Sequence, residues 1–212
     1  MKYTTILFDF DGTIADTEKI LHDVMNSLAG EFGYEPIGEH ELGALRAMSA
    51  RTMLTKRLGI PLWNIFKAYR LERRARAEFG KHTADIRLFD GMADVLRQLR
   101  TSGRTVGVVS SNDTRIVEQV LEREQVSVDF IHAGFAVLSK ARQIRHALKR
   151  YGIDKITALY IGDELRDAQA CQAVGIPVIG VGWGFNGADV LRSVGVDVAM
   201  SPMDLISKIE HL

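Results

Sequence analysis

A single cysteine, Cys171, among 212 residues excludes an internal disulfide framework and is compatible with a reducing compartment. No run approaches the roughly 20 apolar residues that a membrane-spanning helix needs. Near the N-terminus only Ile6-Leu7-Phe8 is apolar before Asp9 interrupts, too short for the apolar region of a signal peptide. The expected location is therefore the cytoplasm. Neither sign of charge is in excess. The 27 Lys and Arg balance the 27 Asp and Glu, so no global field favours nucleic acid or a membrane surface. The six histidines are scattered without paired ligand spacing, which gives no zinc site. Internal repeats and low-complexity segments are also missing.

Apolar residues make up 46% of the chain and charged residues 25%, ordinary for a soluble globular protein. The length fits one large domain, or a core with a modest second domain inserted in it, and is enough to bury a core that folds without staples. Residues 4–10 are apolar and bounded by Gly12, which predicts a buried strand. From Thr17 the period changes. Ile20, Leu21, Val24, Met25, Leu28 and Phe32 recur at helical spacing, with Asp16 as the expected N-cap. A loop over 33–43 follows, then helices near 45–58 and 62–79, the second opened by Pro61 at an N1-like position. Lys67, Arg70, Arg73, Arg74, Arg76 and Lys81 crowd one stretch against Glu72 and Glu78. A solvated helix face is the simplest reading of that run, and attraction of an anionic substrate or partner is the other.

Beyond residue 85 the chain alternates. Helices are expected over 92–100, 114–124, 140–151 and 165–174. Strands are expected over 105–109, near 128–132, and over 156–161 and 178–181, with a weaker strand–helix pair ending at Leu212. Such alternation means βαβ units and a parallel sheet covered on both faces. The predicted fold is α/β, a doubly wound, mostly parallel, Rossmann-like core formed by 1–15 and 86–212. Residues 16–85 form an all-helical cap inserted after the first strand.

In such sheets ligands bind at the carboxyl ends of the strands. The first strand ends in Asp9-Phe10-Asp11-Gly12-Thr13, where carboxylates two apart face the same way and can converge on one cation or one phosphate. They would repel unless a divalent cation neutralised them, and Gly12 permits a sharp turn behind them. The second strand ends in Ser110-Ser111-Asn112, small donors suited to phosphate oxygens. Lys140 opens a helix behind Ser139, a likewise anion-friendly place. The fourth strand ends in Gly162-Asp163-Glu164-Leu165-Arg166-Asp167, with Asp163 and Asp167 four apart. Each piece alone is weak. All four in order, each at the carboxyl end of a predicted strand, are specific.

With these motifs the sequence resembles the haloacid dehalogenase-like hydrolases, in the subgroup of phosphoglycolate phosphatases and β-phosphoglucomutase. Phe8-Asp9-Phe10-Asp11-Gly12-Thr13-Ile14 matches the first family motif, Ser110 the second, Lys140 the third and Gly162-Asp163-x-x-x-Asp167 the fourth. The third motif departs from close relatives, since Ala141 follows the lysine where proline is usual. Ser110 is preferred over Ser111 because it directly follows the apolar run. The resemblance implies that Asp9 is the nucleophile and that Asp11 is general acid, then base. It implies Mg²⁺ held by Asp9, the Asp11 main-chain carbonyl and Asp163, with Asp167 orienting a bound water or Lys140. Ser110, with Ser111 beside it, and Lys140 would hold the phosphoryl oxygens, with Gly12, Thr13, Asn112 and Glu164 in support. The expected activity is hydrolysis of a small phosphorylated metabolite. A phosphomutase with the same aspartyl-phosphate is the alternative, and a non-enzymatic phospho-acceptor domain is a more distant one. A dehalogenase or phosphonatase is disfavoured because Asp11 is present. Specificity would come from the cap, where residues 41–49 are the expected site-facing loop and Arg46 a possible anchor for a substrate anion.

Three other features have plainer readings. Residues 180–187 are glycine-rich but follow the fifth strand, where a dinucleotide fingerprint does not belong, so they are expected as a mobile loop beside the site. Trp63 and Trp183 are expected to be packing residues, and Cys171 a buried, inert thiol.

Overall fold

Four consecutive residues, Thr5–Phe8, form strand β1 and are buried on both faces in the computed structural model, which describes residues 2–45, 48, 50–134 and 140–212. Continuous burial of this kind belongs to a central strand of a parallel sheet. The short strands β2 (Ala15–Asp16) and β3 (Arg87–Leu88) pair as an antiparallel ribbon. The remaining strands are β4 (Thr105–Ser110), β5 (Phe130–Ala133), β6 (Ala158–Gly162), β7 (Val178–Val181) and β8 (Asp197–Ala199). With β1 they make a six-stranded sheet in the order β5-β4-β1-β6-β7-β8, every pair parallel. The chain winds outward from β1 through β4 to β5, then returns to the other side of β1 at β6. That reversal opens a crevice at the carboxyl ends of the central strands. Phe8 lies opposite both Val108 and Ile161, so three strands finish nearly level there.

The chain divides into two compact units, 1–16 with 87–212, and 17–86. The first holds the sheet with helices α5 (Met92–Thr101), α6 (Thr114–Arg123), α7 (Lys140–Arg150), α8 (Leu165–Val174), α9 (Ala188–Ser193) and α10 (Pro202–His211), named after the four helices of the second unit. This is the α/β, Rossmann-like architecture expected from the alternation. Helix α9 was not expected, because six residues are too few to show a helical period. Asp113 caps α6 by accepting from the Arg115 amide, and Ser201 caps α10 ahead of Pro202.

The second unit contains α1 (Glu18–Phe32), α2 (Leu42–Leu45), α3 (Ala50–Thr52), a π-helical turn Met53–Arg57 and α4 (Ile65–Phe79). Helix α1 buries Val24, Leu28, Ala29 and Phe32, and α4 buries Leu71 and Phe79. Several boundaries differ from those expected. Asp16 pairs with Arg87 in the β2–β3 ribbon, so Thr17, not Asp16, precedes α1. Asn64 caps α4 by accepting from the Lys67 amide, and the helix starts well after Pro61. The expected helix over 45–58 is broken into short turns, and its residues 46, 47 and 49 lie outside the described residues. The basic run is a solvated, ion-paired face. Arg70 and Arg74 meet Glu31, Arg76 meets Glu72, and Lys81 meets Glu78. Trp63 is 81% exposed and therefore not a packing residue. Among the described residues no helix is long and apolar enough to cross a membrane.

Arg57 fixes the loop before α2. Its guanidinium donates to both carboxylate oxygens of Glu41, at 2.6 and 2.9 Å, and to the carbonyls of Glu35 and Pro36. Hydrogen bonds from Arg57, then from the Gly38 amide, lower the Glu41 carboxyl from 4.5 to about 2. A depressed folded-state value stabilises above the unfolded value, and that contribution is lost as pH falls through the folded one. Glu41→Gln should therefore melt earlier than wild type above pH 4.5, with the gap closing as the pH is taken down to about 2. Parallel melting curves over that range check this, and a gap that does not change with pH would refute it.

Candidate active site

Asp9 follows β1 at the crevice and is 2% exposed. Its Oδ1 accepts from the Phe10 amide at 2.8 Å, and its Oδ2 lies 2.5 Å from Lys140 Nζ. Lys140 opens α7, and its ammonium also stands 3.3 Å from Asp167 Oδ1. Gln143, on the same helix, donates to the carbonyls of Ser110 and Gly134 and ties the start of α7 to the ends of β4 and β5. Asp167 sits in the first turn of α8, where its Oδ2 accepts from the Glu164 amide. Asp163, fully buried behind β6, accepts from Thr13 Oγ1 at 2.7 Å on Oδ1 and from the Phe185 amide at 2.8 Å on Oδ2. Asp9, Asp163 and Asp167 each bring one carboxylate oxygen within 4.8 Å of the others.

Asp11 takes a different place. The strand stops at Phe8, and the Phe10 carbonyl accepts from the amides of Ile14 and Ala15, so the chain has already curled. Strand alternation therefore does not carry Asp11 into the buried group. Its carboxylate accepts from Asn112 Nδ2 at 3.1 and 3.0 Å. Ser110 ends β4, fully buried, and its hydroxyl accepts from the Asn112 amide at 3.0 Å, while Ser111 beside it is half-buried. Glu164 pairs with Arg166 at 2.7 Å. Gly12 takes φ +74°, and a Cβ there would fall 2.3 Å from Asp163 Oδ2, so only glycine lets the two segments meet. Arg46 and Ser139 lie outside the described residues.

The electrostatics follow from this crowding. Burial pushes the Asp163 carboxyl well above the ordinary range, and Glu164, Asp167 and Asp9 push it further, against the Phe185 amide. Burial also raises Asp167, with Lys140 opposing. Burial acts to lower Lys140, but Asp167 and Asp9 outweigh it and hold the ammonium charged. Three buried carboxyls stand against one ammonium, a surplus of acidic groups that can all ionise only if a further positive charge joins them. An all-oxygen donor set with that surplus suits a hard divalent cation. Cys171 is buried, and burial raises its thiol far above the reactive range, so it is inert.

Residues 182–186 lie beside the site, as expected, but are bonded to it in ways the sequence reading missed. Trp183 Nε1 donates to the Thr13 carbonyl at 3.1 Å, Phe185 donates to Asp163, and Asn186 Oδ1 accepts from the Leu165 amide. What was expected as a mobile loop is tied down at each of these points. Its place directly after β7 signalled the proximity, but nothing in the spacing signalled these bonds.

Residues 6–181 match the family model described as haloacid dehalogenase-like hydrolase. The chain belongs to that family. Two relatives match it over nearly their whole length. A phosphoglycolate phosphatase from Synechococcus elongatus is 35% identical, covering 98% of this chain and 97% of that protein. An N-acetylmuramic acid 6-phosphate phosphatase from Pseudomonas aeruginosa is 25% identical, covering 100% and 96%. The crystal structure of a predicted phosphatase from Clostridium acetobutylicum superposes with a TM-score of 0.85 at 23% identity, both chains covered completely. The hydrolase is a phosphoric monoester hydrolase, a phosphatase.

Proposed function

We propose that this phosphatase hydrolyses a small phosphorylated metabolite, with Mg²⁺, through an aspartyl-phosphate on Asp9. The observation that carries the reading is the pairing of the Asp9 carboxylate with Lys140 beside Asp163 and Asp167. An Asp9 oxygen attacks phosphorus as the ester P–O bond breaks, and the Asp11 carboxyl gives its proton to the departing alkoxide. Asp11, aimed by Asn112, then takes a proton from water, whose oxygen displaces Asp9 and releases inorganic phosphate. Lys140 and the Ser110 hydroxyl hold phosphoryl oxygens, with Ser111 available beside them, and Lys140 neutralises charge that grows in the transition state. Asp9, Asp163 and the Asp11 carbonyl would hold the cation, which supplies charge neutralisation and alignment. Thr13, Gly12 and Asp167 support that set, and Glu164 orders the start of α8.

The helical unit is assigned selectivity among phosphate esters. Phosphoglycolate heads the candidate substrates because of the 35% identical relative, and the Pseudomonas enzyme's different sugar phosphate is the reason for testing a panel. The reaction needs no nucleic acid and no membrane, and the cytoplasm suits it. Activity on an aryl phosphate should appear with Mg²⁺, disappear on chelation and return poorly with Ca²⁺, whose longer and more numerous bonds disturb in-line geometry. Full turnover after exhaustive chelation would remove the cation from the mechanism. Transfer to a second sugar hydroxyl in place of water would favour the phosphomutase.

A further inference from the structure

Asp163 is the most constrained carboxylate of the group. It is fully buried, and both of its oxygens are already engaged, Oδ1 by Thr13 and Oδ2 by the Phe185 amide. Each donor depends on residues 182–186. The Phe185 amide belongs to that segment. Thr13 is held by the segment as well, because the Trp183 indole N–H donates to its carbonyl at 3.1 Å. Trp183 is itself seated edge-on against Phe89, with ring centroids 6.3 Å apart. Between Trp183 and Phe185 lies Gly184, where a Cβ would fall 2.4 Å from both Asp163 Oδ2 and the Gly12 carbonyl oxygen, and 2.3 Å from the Asp163 Cβ. Real Cβ atoms do not approach backbone so closely, so any larger residue displaces the segment or Asp163. The Asn186 amide closes the arrangement on the Asp163 carbonyl at 3.3 Å.

We infer that residues 182–186 are a strap that sets the affinity of the carboxylate group for its divalent cation, with Trp183 and Gly184 as positioning residues. The strap's hydrogen bonds to the site go to Thr13 and Asp163. It acts by aiming Asp163 and by donating to it without filling its oxygens, since each carboxylate oxygen accepts more than one partner. Partners of this kind typically alter metal affinity by about 10- to 100-fold when removed. The inference rests on the cation-dependent reading above.

Calorimetric titration of the chelator-treated protein with Mg²⁺ alone, without substrate, tests it. Trp183→Phe keeps a six-membered aromatic ring and loses the indole N–H with the rest of the five-membered ring. It should bind Mg²⁺ about tenfold more weakly, and should show a smaller Mg²⁺-induced rise in melting temperature from a metal-free melting point like that of wild type. Thr13→Val should lose affinity at least as far, whereas Thr13→Ser, which keeps the hydroxyl, should retain it. Gly184→Ala should be weakest, and if it fails to fold the other three variants still decide. Wild-type affinity in both Trp183→Phe and Thr13→Val would overturn the strap while leaving the cation in place. No Mg²⁺ binding by wild type would sink the cation reading and this inference together.

Discussion

Asp9→Asn should retain less than about a hundredth of wild-type turnover, because loss of a nucleophile typically costs well over 10²-fold. The substitution is nearly isosteric and keeps an oxygen able to accept from the Phe10 amide, so the turn behind β1 survives. What goes is a carboxylate able to attack phosphorus and one of the two charges facing Lys140. The fold should tolerate this, since Asp167 still faces the ammonium. Steady-state turnover with the melting curve alongside is the measurement. A folded variant that works above a hundredth of the wild-type rate would end the covalent assignment.

Lys140→Met should be the most damaging change to the core itself. The ammonium is buried within reach of two carboxylates, and methionine keeps most of the stem without the charge. Removing one partner from a buried ionic group typically costs about 3–5 kcal/mol, because the remaining charges stay buried without compensation. We expect a loss of that size in urea unfolding of the metal-free protein, partly recovered by Mg²⁺, which supplies the missing positive charge. Turnover should fall sharply as well, since the same ammonium faces the phosphoryl oxygens in the proposed mechanism. A stability change under about 1 kcal/mol would mean that the three carboxylates do not depend on Lys140.

The order of elements in the sheet unit was legible because each depends on local pattern. Buried parallel strands read as apolar runs, and their helices show a 3.6-residue period. Helix Leu165–Val174 and strand Val178–Val181 fall where the pattern puts them. The helical unit was less legible. There the boundaries follow from side chains that meet across a fold, as Arg57 meets Glu41, and spacing does not encode such meetings. Pro61 looked like a helix opener, but Asn64 has the hydrogen bond that starts α4.

The sequence by itself determined that Asp9, Asp11, Ser110 and Asp163 come at the ends of strands and that Lys140 and Asp167 open the helices that follow, because a residue just after an apolar run in an α/β chain has one place to go. Only the tertiary structure decided which of them meet. Asp9 joins Lys140, Asp163 and Asp167, while Asp11 turns to Asn112, because the strand ends one residue before Asp9 and the period of two no longer applies. Only the fold, too, brings Trp183 to Thr13 and the Phe185 amide to Asp163 across separations of 170 and 22 residues. A backbone amide donor and a glycine demanded by close approach leave little mark in sequence. Their role exists only once the sheet has set two distant strand ends side by side.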